Sequence, residues 1–365
     1  MTFEQKLIML PGPTNVSPRV IQAMTQPVIN HRSDTFREFY KELLNRTRGL
    51  FQTKGDVMVL SSSGTGGVET AVFNLIRPGD VAIVPIFGEF STRLAETIEI
   101  AGGKAIPIKS VFGQAPSLGQ LEESMNKAGK FKAMFLVHNE TSTGVAVPYV
   151  KEATKMAREH GAFSVIDAIS SLGGYAIPVD EWGVDVCITG SQKCIAAPPG
   201  IALLSVSRQV LDFLKTSPPR VRYFDIQKYV EFGVRGETPF TPALPLFYAL
   251  DEALKELHEE GLGKRVQRHD IMASAIYEGV SKLGLNAVAS PDVRSKTVIA
   301  VYYPTGVDDA LFRKTLSHDK NIVIAGGFGP FAGKVFRIGC MGQINKEYVD
   351  RTLTAIGETI KKIQK

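Results

Sequence analysis

The chain has 365 residues, 44% of them hydrophobic and 22% charged. That is long enough to bury a core without disulfide or metal staples, and too apolar for wholesale disorder. The net charge is +5, and the Lys and Arg residues are scattered rather than gathered on one segment, which argues against a nucleic-acid surface.

In chain order, residues 1–16, with Pro11-Gly12-Pro13, read as an extended arm. Short apolar runs then alternate with amphipathic stretches. Strands are predicted at Val57 to Leu60, Val81 to Val84, Ala105 to Ile108, Ala133 to Val137, Phe163 to Ile166, Val186 to Thr189 and Ile201 to Ser205. Helices are predicted between them at Val68 to Ile76, Ser91 to Ala101 and Val150 to His160. Continuous apolar strands alternating with helices imply an α/β fold, with a mostly parallel seven-stranded sheet covered on both faces. Two long helices follow, at Leu244 to His258 and Arg265 to Leu283; Pro245 suits the first turn of the former. Strands at Thr297 to Val301, Ile322 to Ile324 and Val335 to Gly339, then a helix at Tyr348 to Lys362, suggest a smaller α+β unit. The expected division is an arm at 1–16, a large ligand-binding domain at 17–260 and a small C-terminal domain at 261–365.

Cys187, Cys194 and Cys340 form no CxxC pair, so neither a disulfide scaffold nor a zinc ribbon is expected, and the compartment reads as reducing. The first residues lack a signal pattern, and no apolar run is long enough for a membrane helix. A cytoplasmic protein without membrane or nucleic-acid partners is expected. Six scattered histidines without HExxH, and the absence of GxSxG, exclude the usual zinc and serine hydrolase patterns, so no metal is expected.

Ligands in open parallel sheets bind beyond the carboxyl ends of the strands, where four features stand out. Ser61-Ser62-Ser63-Gly64-Thr65-Gly66-Gly67 lies between a strand and a helix, where small residues expose backbone N–H groups to an anion; an ordinary capped turn is the alternative. Asp167 ends an apolar strand, as a partner for a cation or protonated ring nitrogen, or as a helix cap. Lys193 follows Gly190-Ser191-Gln192 and precedes an apolar stretch, where partial burial would free its amine for Schiff-base chemistry, unless it is a solvated loop lysine. Arg337 sits inside the apolar run Val335 to Gly339, as a fork for a carboxylate or a member of a buried ion pair. A phosphate, a ring nitrogen, an aldehyde and a substrate carboxylate together describe pyridoxal 5′-phosphate with an amino acid.

The sequence resembles the serine–pyruvate and alanine–glyoxylate aminotransferase family, class V aminotransferases of fold type I. The blocks carrying the likeness include Leu10 to Asn15, Ser63 to Gly66, Asn139 to Gly144, Asp167 to Gly174, Gly190 to Lys193 with Ala197 to Gly200, Thr238 to Pro242, and Arg337 to Gly339. The resemblance implies that Lys193 is the catalytic residue holding pyridoxal 5′-phosphate and that Asp167 pairs with its ring nitrogen. Ser63, Gly64 and Thr65 would contact the phosphate beside Gln192, and Thr241 would reach it from the neighbouring subunit of a homodimer. Phe90 would stack on the ring where relatives commonly have Trp, and Thr141 would lie near the ring oxygen. Arg337 would take the substrate carboxylate, with the backbone of Gly12 close by. Thr65 and Thr238 stand where some relatives have His and Tyr.

The implied reaction is ping-pong transamination between a small amino acid, alanine or serine, and glyoxylate or pyruvate. A phosphonate- or phosphoserine-type transaminase using His31-Arg32 as a second anion site, and a non-catalytic relative acting as an interaction protein, are the alternatives. A cysteine desulfurase is disfavoured, because Cys340 falls just past the Arg337 strand.

Overall fold

The computed structural model describes residues 6–364. Seven strands form one sheet: β1 Asp56–Ser61, β2 Val81–Ile86, β3 Lys104–Lys109, β4 Ala133–Val137, β5 Phe163–Asp167, β6 Val186–Gly190 and β7 Ile201–Val206. Their spatial order is β1-β7-β6-β5-β4-β2-β3. All are parallel except β7, which runs antiparallel to both neighbours. β4, β6 and β7 are buried along their whole length, as strands covered on both faces must be. β3 is an edge, and alone among the seven carries Lys at both ends and several exposed positions, a composition that discourages further pairing.

Helix α1 Gly64–Leu75 begins four residues before the predicted start. The glycines belong to its first turns rather than to a preceding loop. A Cβ on Gly67 would lie 2.8 Å from Ile188 and 3.2 Å from Ala202, so the missing side chain lets α1 press onto β6 and β7. Helix α2 Glu89–Ile100 follows β2. Two longer helices, α3 Leu244–Glu260 and α4 Leu262–Lys282, meet at Gly261, whose φ of +83° turns the chain between them.

Beyond α4, β8 Val298–Tyr302, β9 Ala325–Gly326 and β10 Val335–Gly339 form an antiparallel sheet in the order β8-β10-β9. The predicted strand at Ile322 to Ile324 is one residue shorter, and a separate strand not predicted from the sequence follows it. Ile322–Val323 pairs in parallel with Leu7–Ile8, and Ala325–Gly326 pairs with β10. Residues 1–5 of the predicted arm lie outside the described residues; the rest is docked, with Leu7 and Met9 in the C-terminal core beside Phe312, Phe336 and Ile356. The larger core runs from Val20 to Leu257 and includes Ala289 and Val293. Among the described residues, no helix is long and apolar enough to cross a membrane.

Candidate active site

β1, β2, β4, β5 and β6 all end on the same side of the sheet, and the segments leaving them enclose a cleft of about 180 Å³. Ser63, Gly64 and Thr65 enter it from the start of α1, and Phe90 from the start of α2. Thr141 follows β4, Asp167 ends β5, and Gln192 and Lys193 follow β6. Eight residues singled out from the sequence thus converge, because an open parallel sheet delivers every strand-to-helix crossover to its carboxyl edge.

Asp167 does not cap a helix, since turns follow it; one carboxylate oxygen accepts from the Ile169 N–H at 2.9 Å. Burial raises its pKa to about 6, the Ile169 hydrogen bond lowers it, Glu140 adds to the rise and Lys193 opposes it. Lys193 is not a solvated loop lysine. Burial lowers its pKa to about 8, with Cys194 and Asp167 raising it and Arg337 lowering it. Its Nζ donates to the Pro11 carbonyl, so the N-terminal arm closes one wall around it. Gly12 adjoins the same side chain: a Cβ there would lie 2.8 Å from Lys193 Nζ, and the φ of Gly12 is +87°. The arm can touch the lysine only with glycine at that position.

Arg337 lies behind Thr141 rather than on the cleft lining. Its Nε donates to the Gly326 carbonyl at 2.8 Å and one terminal nitrogen donates to the Thr141 carbonyl at 3.0 Å. These partners are backbone carbonyls, not the carboxylate of a buried ion pair, so the rest of the fork stays available. Burial lowers its pKa to about 10, and Glu140 counteracts the shift. Thr241 is exposed and lies outside this chain's own cleft. Arg32 is tied to Glu237 at 3.1 Å and to the Thr238 carbonyl at 2.7 Å; His31 and Arg32 do not line the cleft.

Four further residues escaped the sequence reading. Glu140 is fully buried, and its carboxylate accepts from Phe90 N, Ser91 N, Ser91 Oγ, Ser142 N and Ser142 Oγ at 2.6–3.2 Å. It thereby caps α2 and sets the height of Phe90. Asn139 lines the cleft with its amide nitrogen donating to Ser170 Oγ and Thr297 Oγ1, at 2.7 and 3.1 Å. Arg93 stands one turn after Phe90. Arg265, 1% exposed, donates from α4 to the Cys194 carbonyl at 2.6 Å and pairs with Glu260 at 2.9 Å. Only Asn139 and Glu140 had a signal available, as polar residues immediately after an apolar strand.

The residues present fit pyridoxal 5′-phosphate. Ser63 precedes α1 without its side chain capping the helix, so the hydroxyl and the orphan N–H groups of the first turn suit a phosphate. The amide oxygens of Asn139 and Gln192 are buried at the cleft with no protein partner. The Asp167 carboxylate is desolvated with one backbone donor, an arrangement that a protonated ring nitrogen completes.

Comparison with known proteins agrees. The family model described as aminotransferase class-V matches residues 9–333. The chain belongs to the class V aminotransferases. It is 37% identical to an uncharacterized aminotransferase of Methanocaldococcus jannaschii over 98% of this chain and 94% of that one. A serine–glyoxylate aminotransferase of Methylorubrum extorquens is 35% identical, over 93% and 87%. The crystal structure of a ureidoglycine–glyoxylate aminotransferase from Bacillus subtilis superposes with a TM-score of 0.94 at 30% identity, over 100% of this chain and 95% of that one. The fold is fold type I, and the cofactor of this class V aminotransferase is pyridoxal 5′-phosphate.

Proposed function

We propose that this aminotransferase moves the amino group of a small amino acid, alanine or serine, to glyoxylate or pyruvate. The observation that carries the reading is the placement of Lys193 and Asp167 in one cleft, with Arg337 immediately behind Thr141. When bound, pyridoxal phosphate supplies an electron sink for the electron pair left on the substrate Cα. Asp167 would hold the positive ring nitrogen that makes the sink effective. Ser63, Gly64 and Thr65, with Gln192, would hold the phosphate, and Phe90 and Thr141 would line the space for the ring. Arg337 orients the substrate by its α-carboxylate, with the Gly12 backbone closing that side. The lowered pKa of Lys193, about 8, gives its Nζ a far larger neutral fraction near physiological pH than an ordinary lysine has, and that neutral amine can take up the Cα proton and hold it.

Glyoxylate stands in the names of two of the relatives above, which supports a small 2-oxo acid acceptor. The phosphoserine-type reading through His31 and Arg32 lacks support, because Arg32 is occupied by Glu237 and Thr238. A purely interacting role is disfavoured by the intact set of Lys193, Asp167 and Arg337. We further assign residues 1–16 to an arm, 17–260 to the cofactor domain and 261–365 to the small domain; the two hydrophobic clusters support this division, apart from Ala289 and Val293 in the larger one, and join the arm's Leu7 and Met9 to the smaller one. We place the enzyme in the cytoplasm as a homodimer in which Thr241, exposed in one chain, serves the other subunit's cleft.

The test is a donor and acceptor panel with wild type and Lys193→Ala, together with borohydride fixation of the cofactor. Wild type should turn over alanine or serine with glyoxylate or pyruvate, and reduction should label Lys193. A Lys193→Ala protein that still turns over would refute the assignment.

A further inference from the structure

The mouth of the cleft carries a cation that the reaction above leaves unused. Among the described residues lining the cleft, Lys193 and Arg93 are the positively charged ones. The Arg93 guanidinium carbon lies 5.3 Å from the centre of the Phe90 ring and 5.7 Å from that of Phe328. Arg337 approaches the same Phe328 ring at 4.4 Å. Both forks therefore flank one ring and are at most about 10 Å apart.

Their commitments differ. Arg337 is anchored by two backbone carbonyls. The Arg93 side chain is half exposed, and its one ion pair among the described residues is with Glu89 at 3.5 Å, one turn back on the same helix. An exposed pair of that length is weak, so a ligand carboxylate can displace Glu89. By contrast, Arg32 and Arg37 share Glu237 and have no such freedom.

We propose that Arg93 is a specificity-determining residue that binds the side-chain carboxylate of a dicarboxylic substrate, such as aspartate or glutamate or their 2-oxo acids. Arg337 takes the α-carboxylate of the same molecule. A short dicarboxylic acid separates its two anions by only two or three carbons, which two forks at this spacing can span, each pairing with a planar carboxylate through parallel hydrogen bonds. The proposal rests on the aminotransferase reading and widens its substrate class beyond alanine and serine.

The test uses the holoenzyme in single turnovers with L-aspartate, L-alanine and O-phospho-L-serine, followed by the cofactor's absorbance, plus titration of cofactor affinity. Wild type should convert aspartate. Arg93→Gln should lower the aspartate-to-alanine ratio of kcat/KM about 10- to 100-fold, mainly through KM, with Arg93→Lys recovering part of it. An unchanged ratio, or no conversion of aspartate by wild type, overturns the proposal while leaving the aminotransferase reading intact. Loss of cofactor affinity in Arg93→Gln would assign the cation to the cofactor phosphate and overturn it. A response confined to phosphoserine would overturn the carboxylate assignment. If no amino acid is converted by wild type, this proposal and the reading beneath it fall together.

Discussion

Lys193 and Asp167 are tuned in opposite directions by the same cause. Burial penalises whichever form is charged, so the lysine becomes easier to deprotonate and the aspartate harder. The first shift sets a pH dependence. Only the neutral amine attacks an aldehyde, and it is the protonated fraction that grows as pH falls below the pKa. Capture of pyridoxal phosphate by the apoprotein should therefore reach its plateau above pH about 8 rather than above 10.5. Below pH 8 it should slow by about tenfold per unit, as stopped-flow absorbance would record. A midpoint near 10 would mean that Lys193 is solvated. Asp167→Asn keeps the shape and removes the charge that a ring nitrogen needs. Turnover should drop about 100-fold or more, while cofactor attached through Lys193 remains detectable by borohydride reduction.

At the scale of elements, the site depends on segments far from it in sequence. The arm reaches Lys193 because Leu7–Ile8 is paired with Ile322–Val323 and because the Gly339 N–H donates to the Met9 carbonyl at 2.7 Å. Gly12→Ala would force a Cβ into the Lys193 side chain at a φ of +87°. The conformation alone costs about 1–2 kcal/mol, and the overlap should push Lys193 aside. The expected result is slower cofactor capture with a folded protein, separable by circular dichroism and absorbance. From the other side, α4 holds the lysine turn through Arg265. Ala196 in that turn has a φ of +63°, a conformation that needs outside support. Arg265→Met removes the bond to the Cys194 carbonyl and leaves Glu260 to Arg268 alone. It should cost about 2–3 kcal/mol in denaturant unfolding. A loss under about 0.5 kcal/mol would show that the turn holds its own shape.

For the whole molecule, the cleft depends on both hydrophobic cores. Arg337 arrives on a strand of the smaller core, and Lys193 on a turn of the larger one. The homodimer proposed above predicts a light-scattering mass of about twice 39.7 kDa, and Thr241→Ala should weaken cofactor retention only if the partner's cleft receives it. Much of this was legible in the residues. The seven apolar runs became the seven strands within one or two residues, because a fully buried strand carries a continuous apolar signal. Lys193 and Asp167 were legible as candidates because polar groups at the ends of such runs stand out, while Gln192 came only from the family resemblance. Arg93 and Arg265 were not, and Glu140 was legible only as a polar residue after an apolar strand. An arginine on a helix has the same local pattern whether it faces a cleft, a buried carbonyl or water, and the acid in Asn139-Glu140-Thr141 has no periodicity to betray that it caps a distant helix.

Length, composition and strand pattern by themselves determined the α/β class and pointed to the carboxyl edge of the sheet, with Lys193 and Asp167 as candidates there and Arg337 as a candidate inside a later apolar run. These are local signals: for Lys193 and Asp167, an apolar run followed by polar residues places them at the mouth of the parallel sheet, whereas Arg337 stood out as a charge within an apolar run. The tertiary structure decided which charges are free. It anchored Arg337 on two carbonyls, committed Arg32 to Glu237, left Arg93 half exposed beside Phe90 and Phe328, and brought Gly12 against Lys193. Availability of a charged group depends on partners hundreds of residues away, and only the folded chain brings those partners together.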